Sequence, residues 1–108
     1  MSSHILERLF QTLRERKSAD PASSYVARLY QSGTAKCAQK FGEESVETII
    51  EAMKMETGDL EARDLFKQES ADALFHLMVL WSQLDVTPDE IFAVLETRIG
   101  KISDKDLQ

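Results

Sequence analysis

Little in this chain would break a helix. It holds 4 Gly and 2 Pro in 108 residues, and no stretch alternates β-branched and polar residues as a half-buried strand would. A single cysteine, Cys37, excludes an internal disulfide framework and a cysteine-rich zinc site. Basic residues are in deficit: 13 Lys+Arg face 19 Asp+Glu, a net charge of −6. A surface that neutralises nucleic-acid phosphates is therefore not expected. No apolar run reaches the length of a membrane span, and the opening MSSHILERLFQTL has no signal-peptide core. The expectation is a cytoplasmic protein with neither a membrane nor a nucleic-acid partner. The remaining composition, 43% hydrophobic and 30% charged, is that of a globular chain. The length suits one domain over residues 1–108. A chain this short buries a modest share of its surface, which leaves room for self-association.

Helical periodicity dominates. Residues 4 to 16 place Ile5, Leu6, Leu9, Phe10 and Leu13 on one stripe, the pattern of an amphipathic helix. KSADPASS breaks it. Asp20-Pro21 reads as an N-cap with proline at the first helical position, leading to a short helix over SSYVARLY that ends near Ser32-Gly33. A long helix is expected from about Thr34 to about Met55, interrupted by Gly42 at some cost. Glu56-Thr57-Gly58-Asp59 is a turn, and residues 60 to 84 form a second long helix. Thr87, Pro88 and Glu90 spell a helix start, for a last helix over residues 88 to 99. Residues 101–108 read as a frayed tail. The fold class is all-α: a bundle built on two long antiparallel helices.

Two acidic clusters carry the chemistry. Glu44 and Glu47 are three apart, as are Glu69 and Asp72, so each pair shares a helix face. Taken alone, the stripe Lys40, Glu44, Glu47, Glu51 would pass for a solvated face. The second cluster resists that explanation. It leads into ADALFHLMVLW, where Asp72 and His76 are the polar residues; a helix apolar nearly all round is buried, and a buried carboxylate is costly unless paired or bound to metal. If the long helices are antiparallel neighbours, the two pairs can converge into an all-oxygen site. Such a site suits Mg²⁺ or Mn²⁺ rather than zinc. A di-iron site would need Glu-x-x-His on two helices, which is absent. Magnesium keeps waters and shares its shell with phosphates, so the cage implies phosphate chemistry. Arg28, Lys36 and Lys40 precede the cluster at helical spacing and are candidates for holding phosphates, with a solvated surface role equally open. His76 is either a satisfied core histidine or a group beside the metal site. Ser24 and Tyr25 could cap the short helix or touch substrate. Cys37 reads as a small buried residue.

The spacing Glu43-Glu44-x-x-Glu47, then Glu69-x-x-Asp72, resembles the EExxE…ExxD signature of the all-α, MazG-like nucleoside-triphosphate pyrophosphohydrolases. DPASSYVARLYQSG, KFGEESVETIIEA and ESADALFHLMVLWSQLDVTPDEIFAVLETR are most similar to the phosphoribosyl-ATP pyrophosphohydrolase family, over residues 4 to 100. The resemblance implies a helical homodimer or higher homo-oligomer. It also implies Mg²⁺-dependent hydrolysis of phosphoribosyl-ATP to phosphoribosyl-AMP and pyrophosphate, the second step of histidine biosynthesis. Its metal ligands map onto Glu44, Glu47, Glu69 and Asp72. Glu43, Glu44 and Glu47 carry the catalytic motif, with Glu43 supporting the ligands or positioning water. Arg28, Lys36, Lys40 and His76 fall to substrate binding; Lys40 and Gly42 match the Lys-x-Gly-Glu-Glu junction, and Arg28 stands where the family more usually has Lys. The expectation is the stand-alone form, without the cyclohydrolase domain of fused forms. A housekeeping (d)NTP pyrophosphohydrolase and a non-catalytic helical dimer remain the other readings at this point.

Overall fold

The computed structural model describes residues 4–102, all of whose regular elements are helices. Helix α1 covers Ile5–Glu15, capped by His4, whose Nδ1 accepts from the Leu6 amide at 3.1 Å. A short 3-10 turn follows over Arg16–Ser18. The Asp20-Pro21 start corrects to a turn: Asp20 Oδ1 accepts from the Ala22 amide at 2.9 Å, closing the chain on itself before any helix begins. Ser24 is the true N-cap, accepting from the Ala27 amide, and α2 runs over Tyr25–Ser32.

Gly33 alone separates α2 from α3, which covers Thr34–Glu56. Its φ of 94° lies where a side chain would be strained. Gly42 does not interrupt α3; a Cβ there would meet nothing within 4 Å. Helix α4 covers Ala62–Gln83. The turn before it is a Schellman motif: Gly58, at φ 93°, donates to Met55 O, and Asp59 donates to Lys54 O. Helix α4 ends the same way. Asp85 takes the left-handed position at φ 58°, donating to Ser82 O, while Val86 donates to Trp81 O. Helix α5, Pro88–Ile99, opens with the expected capping box between Thr87 and Glu90. Of the tail expected to fray, residues 103–108 lie outside the described residues.

Helices α3 and α4 share the most extensive interface in the molecule. The core gathers where α1 and α2 lie against this pair. Phe10, Leu13, Leu29, Cys37, Met78 and Val79 are buried together, flanked by Phe75, Tyr30 and Trp81. Burial pushes the Cys37 thiol up, which suits a packing role. Beyond this core one face of α3 is open. Val46, Ile49, Ile50 and Met53 form an apolar stripe that is 46–60% exposed. Among the described residues no helix is long and apolar enough to cross a membrane.

Candidate metal centre

Three of the predicted acids meet across the α3–α4 interface. One carboxylate oxygen each from Glu44, Glu47 and Glu69 lies within 4.8 Å of the others. Glu44 and Glu47 stand one turn apart on α3, and α4 brings Glu69 against them. Glu44 and Glu69 are half-buried and Glu47 is exposed. Oε2 of Glu69 is shielded from solvent and has no hydrogen-bond partner.

That arrangement is electrostatically unsettled. The Glu47 carboxylate, by hydrogen bonding, burial and the charges of Glu47 and Glu44 together push Glu69 up to about 7. Carboxylates this close cannot all ionise without cost, which favours the protonated form of Glu69. A divalent cation would take that proton's place. The donor set is all oxygen and supplies an orphaned acceptor, so it fits a hard cation such as Mg²⁺ or Mn²⁺.

Asp72 does not join these three. It is exposed, which corrects the burial expected from ADALFHLMVLW. In the single chain α4 is covered along His76, Met78, Val79 and Ser82, and the surface carrying Asp72 is open, as is Leu74 at 39% exposure. Glu43 also faces away. It accepts from Gln39 Nε2 at 2.9 Å and Lys40 Nζ at 3.2 Å, and these donors hold its carboxyl below the usual range. The same contact with Glu43 raises Lys40, with smaller contributions from the Tyr25 phenol and Glu44. Arg28 donates from Nη1 to Pro21 O at 2.9 Å, its guanidinium 6.0 Å from the Tyr25 ring centre. Lys36 is exposed. Lys40 is thus within electrostatic range of both Glu44 and the Tyr25 phenol, and Arg28 lies against Tyr25.

His76 is buried. Its Nε2 lies 3.1 Å from the Tyr25 hydroxyl and its Nδ1 2.9 Å from Asp72 O. The pairing with Tyr25 spans 51 residues, so no local pattern announces it. Glu51 was passed over as part of a solvated stripe, yet its side chain is 13% exposed, its Oε1 has no hydrogen-bond partner, and Oε2 lies 3.7 Å from Lys54. Its place one turn beyond Glu47 on the acidic stripe was the available signal. A cavity of about 630 Å³ lies elsewhere, between α1 and the start of α5, lined by Phe10, Arg14, Thr87 and Pro88 among others. None of the clustered carboxylates lines it.

The family model for phosphoribosyl-ATP pyrophosphohydrolase matches residues 6–99. A phosphoribosyl-ATP pyrophosphatase of Azospirillum brasilense is 48% identical over 100 residues, covering 93% of this chain and 85% of that protein. One from Jannaschia sp. (strain CCS1) is 52% identical over 95 residues, 88% of this chain and 87% of the relative. Another, from Cereibacter sphaeroides, is 51% identical over 96 residues, 89% and 87% of the two chains. Matched over residues 6–99 and about half identical to these relatives over most of its length, the chain belongs to the phosphoribosyl-ATP pyrophosphohydrolase family.

Proposed function

We propose that this chain hydrolyses phosphoribosyl-ATP to phosphoribosyl-AMP and pyrophosphate in the cytoplasm, as the second step of histidine biosynthesis, with Mg²⁺ as cofactor. The observation that carries the reading is the meeting of Glu44, Glu47 and Glu69 across two helices in a chain whose relatives bear the name of that activity.

Glu44, Glu47 and Glu69 would hold the ion, with Asp72, one turn beyond Glu69, as the fourth ligand that the family motif implies. When bound, Mg²⁺ supplies counter-charge for the triphosphate and lowers the pKa of water. A carboxylate of the cluster accepts the proton of the attacking water. Arg28, Lys36 and Lys40 offset charge on the departing pyrophosphate. Glu43 keeps Lys40 in place, as their 3.2 Å ion pair suggests.

Helices α3 and α4 are read as an antiparallel pair. Supporting this, Thr34 at the start of α3 meets Gln83 at the end of α4, while Glu44 and Glu47 meet Glu69 further along. A second copy of the chain would cover the stripe Val46, Ile49, Ile50 and Met53, because an apolar surface of that kind left in water is unfavourable. Ile49→Glu should then convert a dimer into a monomer in sedimentation; unchanged mass would reject that interface.

Pyrophosphate release from phosphoribosyl-ATP, with and without Mg²⁺ and beside ATP and a dNTP panel, tests the activity. Release from phosphoribosyl-ATP alone, abolished by chelation and by Glu47→Ala or Asp72→Ala in folded protein, is the expected result. Preference for a dNTP would move the chain to a housekeeping role. Near-normal rates in both variants would reject the metal assignment.

A further inference from the structure

The polarity of the Tyr25–His76 contact follows from its neighbours. Asp72 O is a carbonyl and can only accept, so the proton of the neutral His76 ring sits on Nδ1, 2.9 Å from that oxygen. Nε2 is then the acceptor, and the Tyr25 hydroxyl, 3.1 Å away, donates to it. The phenol proton is committed inward, and the outward lone pairs of Tyr25 can only accept.

Position gives this oxygen a task. Tyr25 is the first residue of α2, held by the Ser24 cap. Its ring packs edge-on against buried His76. It is 44% exposed, Lys40 lies within electrostatic range of both it and Glu44, and Arg28 lies over its ring. An acceptor here is poorly suited to phosphate oxygens, which are acceptors themselves. It suits a donor carried next to the phosphates, and on a nucleotide the sugar hydroxyls are the nearest.

We propose that Tyr25 is a specificity-determining residue, its phenol oxygen accepting a hydrogen bond from a ribose hydroxyl of the nucleotide. His76 is the positioning residue that fixes the phenol's polarity. The inference rests on the proposed phosphoribosyl-ATP hydrolysis and deepens it.

The test compares phosphoribosyl-ATP with analogues lacking the 2′- or 3′-hydroxyl of the triphosphate-bearing ribose, using the Mg²⁺-loaded enzyme. Wild type should lose about tenfold in kcat/KM on one of the deoxy analogues, the size of one hydrogen bond. Tyr25→Phe should slow the ribose substrate by that factor, mainly through KM, and leave the sensitive analogue unchanged, erasing the discrimination. His76→Phe should reproduce this without adding to Tyr25→Phe in the double variant. His76→Gln, whose amide oxygen can accept from the phenol, should restore most of it. Equal slowing on all three substrates, or multiplying effects in the double variant, would overturn the proposal. Ring ¹⁵N resonances of His76 give a readout independent of turnover. They should show the proton on Nδ1, and a proton on Nε2 alone would overturn the device. Wild type inert towards phosphoribosyl-ATP yet carrying the Nδ1 proton would instead reject the proposed activity, and the ribose assignment with it, while leaving the Tyr25–His76 polarity standing.

Discussion

Where α1 and α2 lie against the long helices, Leu13, Cys37, Met78 and Val79 are at most 1% exposed. Further along the same pair, Ile49 and Met53 are 60% and 55% exposed, and three carboxylates crowd one another beside them. One region is settled by burial of apolar area within the chain. The other is left with exposed hydrophobics and mutual repulsion, which the proposed second copy and the proposed cation would relieve. The same two helices serve both regions, so the difference comes from what covers them. On the proposed function, the carboxylate region would draw stability from what it binds, whereas the core region holds the scaffold without it.

The largest expected effect would break that division at the carboxylates. Glu69→Gln removes the charge most opposed by its neighbours. Turnover of phosphoribosyl-ATP should fall by more than about 10²-fold, while metal-free thermal stability at pH 8 stays equal or rises. A loss of stability in the metal-free protein would mean that Glu69 serves the scaffold. At the other region, Leu13→Ala should lower unfolding free energy by about 2–5 kcal/mol in denaturant titrations, with kcat of the folded fraction little changed.

A pH series sharpens the contrast without mutation. The folded carboxyl of Glu69 lies at about 7, above its ordinary value of 4.5. Folding therefore favours its protonated form. The stability linked to that proton is fully present below 4.5 and is lost as pH rises through about 7. Metal-free protein should melt lower at pH 8 than at pH 5.5, as far as this group decides it, and saturating Mg²⁺ should remove that slope. A slope that survives Mg²⁺ would place its origin outside the cluster. The smallest effects belong to the turns. Gly58→Ala should cost about 1 kcal/mol, since a side chain is strained at that φ. Asp85→Gly should gain less than about 1 kcal/mol, because relief of the backbone is offset by a freer unfolded chain and by the lost contact with Lys17.

What could be read from the sequence was mostly local. Thr87, Pro88 and Glu90 interact within one turn of backbone, so their spacing names the start of α5 correctly. Glu44 and Glu47 share a face for the same reason. Asp20-Pro21 was misleading because the same side chain that caps a helix can close a turn, and here it bonds the Ala22 amide. Asp72 was misjudged for a tertiary reason: an apolar neighbourhood in sequence became burial only on the side of α4 that the other helices cover. The contacts of Tyr25 with His76, and the isolation of Glu51 Oε1, depend on packing that no periodicity encodes.

Gly33 is at once the last cap of α2 and the first of α3. Its amide bonds back to Tyr30 O, and its carbonyl receives the Cys37 amide. With no intervening loop to absorb motion, α2 cannot open without loosening the first turn of α3. In hydrogen exchange, the amides from Leu29 to Cys37 should open as a single cooperative unit, so an insertion at this joint would disturb both helices where an insertion in a longer loop would disturb neither.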